Sequence, residues 1–271
     1  MRKGWYTCLL GALLAGLCLS GCSNMPAENG EENGVSSPPD APREITVEQP
    51  QEAAQPEEKH ILVAIDPGHQ SWEVDMSAME PNAPGSTVMK AKATTGTVGS
   101  FSGIYEYELN LDISLQLREL LEQQGYAVLL TRESNDMAVS NAERAQMANA
   151  AGADIYVRIH ANGSEDAGAS GALALVPSKE NAYVGQLSEQ STALASHILH
   201  SYCSATGFAD LGIQYNDTMT GINWSQCPVV ILEMGFMTNQ HDDLAMSEDS
   251  FRQIMVKGIV EGIDTYFKKI S

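Results

Sequence analysis

Basic residues are scarce in this sequence of 271 residues. It contains 15 Lys and Arg against 35 Asp and Glu, which gives a formal net charge of -20 at pH 7. Binding to nucleic acid depends on clustered Lys and Arg side chains that contact phosphates, and the sequence has no such cluster. The composition therefore excludes nucleic acid as a partner, and the excess negative charge favours solubility.

Cysteine is too scarce for a fold built on disulfides. Cys8 and Cys18 lie in an apolar segment at the amino terminus and Cys22 follows it, which leaves Cys203 and Cys227. In an exported protein these two could form a disulfide or stay independent thiols, and the sequence leaves both open. In either case the core does not depend on a disulfide framework.

Internal repeats are absent, and so is a compact metal-binding motif such as His-Glu-x-x-His. The lack of repeats favours one domain over an array. Because no short motif carries two ligands, the ligands of any metal site come from segments far apart in the sequence.

The amino terminus has the layout of a secretory signal. Two basic residues precede the apolar residues 5–19, a run too short to span a bilayer comfortably. It ends in LSGC at residues 19–22, which resembles a bacterial lipobox, in which the Cys is acylated and becomes the new first residue. A plain signal peptide and an uncleaved anchor helix are the alternatives. We predict a lipoprotein signal over residues 1–21 and lipidation of Cys22, which tethers the protein outside a bacterial membrane.

Residues 22–59 are predicted to be a disordered acidic tether. Their composition is dominated by Pro, Glu, Asn and Ser, with too few apolar side chains to offset the entropy lost on ordering. A flexible chain of about 36 residues spans roughly 3 nm. The tether would therefore let the folded part, residues 60–271, work away from the membrane surface.

Strand and helix patterns alternate through residues 60–271. Short runs of branched apolar residues predict strands, and apolar residues at helical spacing predict the helices between them. The predicted strands cover residues 61–65, 126–131, 154–159, 171–176 and 228–232, and the predicted helices cover 106–124, 140–151, 188–206 and 247–268. This alternation predicts a single α/β domain with a mixed, largely parallel sheet covered by helices on both faces.

Two histidines directly follow predicted strands. His69 comes after the first strand and its Pro-Gly turn, and His160 comes after another buried strand. Ligands bind at the carboxyl ends of strands in open α/β sheets, where a neutral imidazole can bind a metal or move a proton. Taken singly, each could also be a solvated loop histidine.

Two glutamates extend this set. Glu106 lies at a predicted helix start, where the helix dipole favours a carboxylate. Glu233 follows a buried strand in an apolar run, and burying a carboxylate without a partner costs several kcal/mol. Two imidazoles, one carboxylate and a water are the ligand set of catalytic zinc, and the other carboxylate would then act as general base. Spacing alone does not decide which carboxylate has which role.

Four segments, in the same order along the chain, resemble the zinc-dependent N-acetylmuramoyl-L-alanine amidases of the Amidase_3 family. They are IDPGH at residues 65–69, EYELNL at 106–111, RIHAN at 158–162 and LEMGFMTN at 232–239. The similarity extends across nearly the whole predicted domain, including Thr131-Arg132 and Glu143-Arg144. It implies the α/β fold and an enzyme.

The resemblance also implies roles for individual residues. His69, Glu106 and His160 would bind Zn²⁺, and Glu233 would be the catalytic acid and base. Glu106 rather than Glu108 matches the metal ligand, because the family pattern places that Glu four residues before Asn110. Glu108 is expected to face solvent.

The implied reaction is hydrolysis of the amide bond between N-acetylmuramic acid and L-alanine in peptidoglycan, for cell-wall remodelling or lysis. Glu233 would take a proton from the attacking water and deliver it to the departing amine. The alternatives are a non-catalytic peptidoglycan-binding lipoprotein with the same fold and a zinc carboxypeptidase acting on stem peptides. The expected partners are peptidoglycan and, through the lipid anchor, a membrane, and we expect a monomer.

The sequence departs from the family pattern in a long connection, residues 70–105, after the first histidine. Trp72, Met76, Met79 and Met89 in this connection could line a groove or cover the core, and we favour the core. The expected substrate contacts are Arg158, Asn162 and Asn239. An internal ion pair is the alternative for Arg158, where the family usually has a small residue.

Overall fold

The structure is a computed structural model, and it describes residues 58–270. The predicted signal, Cys22 and residues 22–57 of the predicted tether lie outside these residues and stay predictions. Lys59 already contacts the folded part, since its backbone N–H donates to the Gly125 carbonyl over 2.9 Å and its Nζ to Asp264 over 2.7 Å. None of the described helices is long and apolar enough to cross a membrane.

The described residues form eight strands and six α-helices. The strands are β1 (Leu62–Pro67), β2 (Met79–Pro81), β3 (Met89–Ala91), β4 (Ala127–Leu130), β5 (Ile155–Asn162), β6 (Ala172–Val176), β7 (Asp210–Tyr215) and β8 (Val229–Phe236). The helices are α1 (Glu106–Gln123), α2 (Asn141–Ala151), α3 (Ser188–Thr206), α4 (Thr220–Asn223), α5 (Gln240–Ser247) and α6 (Asp249–Ile270).

Six of the strands form one sheet in the order β4-β1-β5-β8-β6-β7. All neighbours run parallel except β8 and β6, which are antiparallel. The predicted mixed, largely parallel sheet is confirmed. Since β1, β5 and β8 are adjacent and parallel, the side chains that follow their carboxyl ends share one edge of the sheet.

Helices cover both faces of this sheet, as predicted. One core joins the sheet to α1, α3 and α6 through buried side chains that include Leu109, Ile113, Leu117, Ile198 and Ile263. A second core on the opposite face joins the sheet to α2 and α4 through Ala145, Ala148 and Ile222. Packing on both faces fixes the position of the sheet, and with it the carboxyl edge that carries the candidate site.

Several elements differ from the sequence prediction. β7 was not predicted, because it is an edge strand with its side chains half-buried or exposed and Gly212 in its middle. The hairpin of β2 and β3 has only three residues in each strand, too few for a periodic signal. The predicted closing helix, residues 247–268, is α6, and a short helix that was not predicted, α5, precedes it and ends where Glu248 adopts an extended conformation.

Two predictions about helix starts, at Ser140 and at Glu106, are confirmed by the structure. Ser140 caps α2 by accepting a hydrogen bond from the Glu143 N–H over 3.2 Å, and the Glu143 carboxylate accepts from the Ser140 N–H over 2.7 Å. This is the predicted capping box. Glu106 is the first residue of α1, which places its carboxylate at the positive end of the helix dipole.

The two cysteines of the folded part are free thiols. Cys227 is buried and Cys203 is half-buried, and neither forms a disulfide. Burial raises the pKa of both thiols to about 11. Of the two alternatives left open by the sequence, the structure has the independent thiols.

Candidate active site

His69 is presented by the turn that follows β1. Its φ of 63° lies in the left-handed region, which residues other than glycine rarely adopt and which is held only where the surroundings require it. Its Nδ1 lies 3.0 Å from both the carbonyl oxygen and the hydroxyl of Thr94. A hydrogen bond from Nδ1 to that carbonyl fixes the tautomer and leaves the lone pair of Nε2 available.

His160 follows in β5, the strand beside β1. Burial lowers the pKa of its imidazole to about 4, so the ring is neutral at physiological pH. Its Nδ1 faces His69 and Glu106, and its Nε2 is buried with no hydrogen-bond partner among the described residues.

Glu106 reaches the same point from the first turn of α1. It is 3% exposed, and its oxygens accept hydrogen bonds from the Thr97 N–H over 2.8 Å and the Ala161 N–H over 3.1 Å. Burial on its own would raise the pKa of this carboxyl, but the hydrogen bonds to His160 and His69 outweigh burial and hold the pKa well below its usual range. Glu106 is therefore ionised.

Three electron-rich atoms meet at this point in a nearly equilateral triangle. His69 Nε2 lies 3.1 Å from Glu106 Oε1, and His160 Nδ1 lies 3.2 Å from each of them. A tetrahedral zinc ion with ligands at about 2.0–2.1 Å separates those ligands by about 3.3 Å. The donor set and its spacing fit zinc, and within the described residues this is the only cluster of this kind. The assignment of these three residues as metal ligands stays a prediction.

Two glycines bring the backbone against these side chains. A Cβ on Gly68 would lie 2.3 Å from the His160 ring, and a Cβ on Gly96 would lie 2.4 Å from Glu106 Oε2. Gly96 also has a φ of 76°, which disfavours any other residue. The sequence marks residues 94–103 as rich in small residues, but only the fold shows that Gly96 closes over the site.

A buried ion network lies behind the His69 turn. Asp66 is fully buried and accepts hydrogen bonds from Arg144 Nη1 over 2.8 Å, from Arg158 Nε over 2.7 Å and from the Thr131 hydroxyl. Burial alone would raise the pKa of Asp66, but the charges of Arg144 and Arg158 hold it far below the usual range. Asp66 is therefore ionised, and it is the negative partner of both arginines.

The same arginines hold the backbone of the turn. Arg144 donates to the carbonyls of Pro67 over 2.6 Å and of His69 over 3.0 Å. Arg132 donates to the carbonyls of Pro67 over 2.8 Å and of Gly68 over 3.0 Å. The sequence reasoning assigned no role to Asp66, Arg132 or Arg144. The only signal was that all three fall within the segments that resemble the amidase family.

Glu233 lies in β8, in register with His160 of β5. It lines a pocket of about 390 Å³ that also exposes His69 and His160. Burial is the larger cause and the charge of Glu106 the smaller one that raise the pKa of Glu233 to about 8, and the charge of Arg158 opposes them. A carboxyl with this pKa can hold or release a proton near neutral pH, as a general acid or base must.

The three expected substrate contacts all have partners within the protein. Arg158 pairs with Asp66, which is the ion-pair alternative, and its Nη2 donates to Asn141 over 2.8 Å. Asn239 caps α5 by accepting from two backbone N–H groups, and Asn162 accepts from the Gly163 N–H. Their contact with a substrate stays a prediction.

Two further expectations concern exposure. Glu108 is exposed, as expected, and accepts a hydrogen bond from the Tyr105 N–H at the start of α1.

In the long connection, Met76 is buried, but Trp72, Met79 and Met89 are 63%, 54% and 46% exposed. The interpretation that all four cover the core is wrong for these three, because Met79 and Met89 lie on the exposed β2-β3 hairpin and Trp72 lies in an exposed turn that precedes it.

The molecule is thus an α/β domain with a candidate metal centre of two histidines and one glutamate at the carboxyl edge of its sheet. The Amidase_3 family, described as N-acetylmuramoyl-L-alanine amidase, matches residues 63–265, and the chain belongs to this family.

Relatives of several kinds support this membership. The chain is 34% identical over 173 residues to the uncharacterized protein YqiI of Bacillus subtilis, covering 64% of this chain and 79% of YqiI. It is 28% identical over 212 residues to the N-acetylmuramoyl-L-alanine amidase Rv3717 of Mycobacterium tuberculosis, covering 75% and 85% of the two chains. A crystal structure of the N-acetylmuramyl-L-alanine amidase Ami1 of Mycobacterium smegmatis superposes with a TM-score of 0.70 at 25% identity, over 78% of this chain and 98% of Ami1.

The substitution Asp66→Asn tests the network behind the site. It leaves two buried guanidinium groups without their counter-charge, so we expect the free energy of unfolding to fall by about 3–5 kcal/mol. Asp112→Asn is the matched control, because the side chain of Asp112 is 42% exposed in its pair with Arg252, and it should cost less than about 1 kcal/mol. Urea unfolding of both variants measures the difference, and equal losses would contradict the account.

Proposed function

We propose that this protein hydrolyses the amide bond between N-acetylmuramic acid and L-alanine in peptidoglycan, with zinc as its metal. The observation that carries the proposal is the convergence of His69, Glu106 and His160 at 3.1–3.2 Å, beside a pocket that the two histidines line together with Glu233. Membership of the Amidase_3 family supports the choice of bond, because that family is described as N-acetylmuramoyl-L-alanine amidase.

In this proposal His69 Nε2, His160 Nδ1 and Glu106 Oε1 hold the zinc ion. When bound, zinc supplies Lewis-acid chemistry, which polarises an amide carbonyl and makes water more acidic. The residues around these ligands fix the tautomer and the orientation of their side chains. Thr94 sets the tautomer of His69, and the backbone N–H groups of Thr97 and Ala161 orient the Glu106 carboxylate.

Glu233 moves the protons in this reaction. As a carboxylate it accepts a proton from the water that attacks the lactyl carbonyl. It then donates that proton to the amide nitrogen, so that the peptide leaves as a neutral amine. The water oxygen and its second hydrogen stay with the lactyl group as a carboxylic acid, which then loses that proton to solvent to become a carboxylate. The products are a bare glycan strand and a free stem peptide.

We propose an extracytoplasmic location in which lipidated Cys22 and the tether to residue 59 attach the catalytic domain, residues 60–271, to a bacterial membrane. The protein would act there as a monomer on the cell wall, in remodelling or lysis. The basis is the lipobox-like LSGC at residues 19–22 after a short apolar run.

The mass of the mature protein tests the anchor. We expect the protein extracted from membranes to begin at an acylated Cys22, and the Cys22→Ala variant to keep its first 21 residues. Intact-mass spectrometry reads both results. An unmodified Cys22 in the mature protein would remove the lipid anchor from the proposal.

The products of the reaction test the bond. Incubating purified peptidoglycan with the full chain and zinc should release whole stem peptides with a free L-alanine amine, and a chelator should abolish the release. Glu233→Gln should lower the rate by about 10²-fold or more, because it removes the group that transfers the proton in this mechanism. Mass spectrometry of the soluble products decides. Free amino acids would indicate a carboxypeptidase, and bound but uncleaved wall would indicate a binding protein.

Zinc content tests the metal site separately from activity. Glu106→Gln removes the only charged ligand, so we expect it to weaken zinc binding at least tenfold. Glu108→Gln is the matched control, since it makes the same chemical change two residues away on the exposed side of α1. Competition with a chromogenic chelator gives both affinities. If Glu106→Gln and the control bind zinc equally, Glu106 is not a ligand.

A further inference from the structure

Two pockets meet beside the candidate site. The first, which we call the Lys90 pocket, measures about 390 Å³ and contains His69, His160 and Glu233. The second, the Trp72 pocket, measures about 520 Å³ and lies within the long connection after His69. Both are lined by Ala91 and Thr94, and Thr94 contacts His69. The two pockets therefore adjoin each other at these residues, beside His69, and we call them together the groove.

The Lys90 pocket has two basic side chains in its lining, together with the Glu233 carboxyl. Lys90 and Arg158 both line it, although Arg158 is already paired with Asp66. Among the described residues no carboxylate lies within ion-pair distance of Lys90, whose ammonium donates instead to the Thr218 carbonyl. An ammonium has three N–H donors. Lys90 is therefore held in place with donors and charge left for an anionic ligand.

The Trp72 pocket has no basic side chain in its lining, and its one charged group is Asp75. The indole of Trp72 is 63% exposed there. Gln70 also lines the pocket and is 1% exposed, with its Oε1 held by Arg144 over 2.6 Å and its buried Nε2 without a partner among the described residues. The Nε2 donor lies below the pocket surface, so the exposed Trp72 ring is the group that this pocket offers to a ligand.

We propose that peptidoglycan lies across this groove in one direction, with an N-acetylated sugar in the Trp72 pocket and the stem peptide in the Lys90 pocket. This inference rests on the proposed function, since it takes the bond beside His69 to be the one that joins sugar and peptide. It adds two residues that determine substrate orientation, Trp72 and Lys90.

The chemistry of the two substrate halves matches the two pockets. An N-acetylhexosamine is uncharged and has a face of C–H groups that packs on an aromatic ring such as that of Trp72. A stem peptide carries carboxylates, which Lys90 attracts and Asp75 repels. Charge therefore disfavours the reverse orientation.

Two probes without the cleavable bond test the orientation on the full chain. The sugar probe is the tetramer of N-acetylglucosamine, and the peptide probe is the free L-alanyl-D-isoglutamyl-L-lysine tripeptide. Trp72→Ala should weaken binding of the sugar probe about three- to tenfold and leave the peptide probe unchanged. Lys90→Gln should weaken the peptide probe about three- to fivefold and leave the sugar probe unchanged. Isothermal titration measures all four affinities.

The controls separate binding from folding. Trp72→Tyr keeps an aromatic ring and should retain most of the sugar affinity, and Lys90→Arg should retain the peptide affinity. Tyr215→Ala removes an aromatic side chain that is 61% exposed on β7, outside both pockets, and should change neither affinity. Equal effects of Trp72→Ala and Lys90→Gln on both probes, or no binding of the sugar probe, would overturn the orientation. The release of stem peptides, measured separately, would still stand as the test of the amidase.

Discussion

The site depends on one buried interaction, the pairing of Asp66 with Arg144 and Arg158. Three arginines, Arg132, Arg144 and Arg158, are almost fully buried here around a single carboxylate. The remaining positive charge is satisfied by the backbone carbonyls of the turn that carries His69. The turn and the arginines therefore require each other. Without the guanidinium donors the carbonyls of this turn would lose the hydrogen bonds that help to hold His69 in a left-handed conformation, and without the turn the donors would be buried unpaired.

Parallel strand order then brings the remaining groups together. Since β1, β5 and β8 are neighbours, His69, His160 and Glu233 follow one another along a single edge of the sheet. Glu106 does not come from a strand. The long connection after His69 folds back so that Thr97 and Gly96 lie against Glu106 at the start of α1. The sheet fixes the positions of His69, His160 and Glu233, and the loop packs over Glu106.

The sequence predicted the parts of this arrangement that have a local signal. Periodic apolar residues identified the sheet and its main helices, Ser140 and Glu143 identified a helix start, and the family-like segments identified His69, Glu106, His160 and Glu233. The partners of Gln70, Arg132 and Arg144 could not be predicted. They bond to carbonyls and side chains that only tertiary structure brings near, and a polar residue that is buried by such contacts has no period in the sequence. The same reason hid the role of Gly96.

The distribution of charge makes the two ends of the groove different. The chain as a whole is strongly acidic, with a net charge of -20, so it repels anionic polymers at long range. At physiological ionic strength that repulsion is screened beyond about 8 Å, and a nearby cation then decides the local interaction. Lys90 is such a cation, at the end of the groove where Asp66 already compensates Arg158. An acidic protein can therefore admit the anionic half of a substrate at one end of the groove, while the other end offers the uncharged ring of Trp72 and has Asp75 as its one charged side chain.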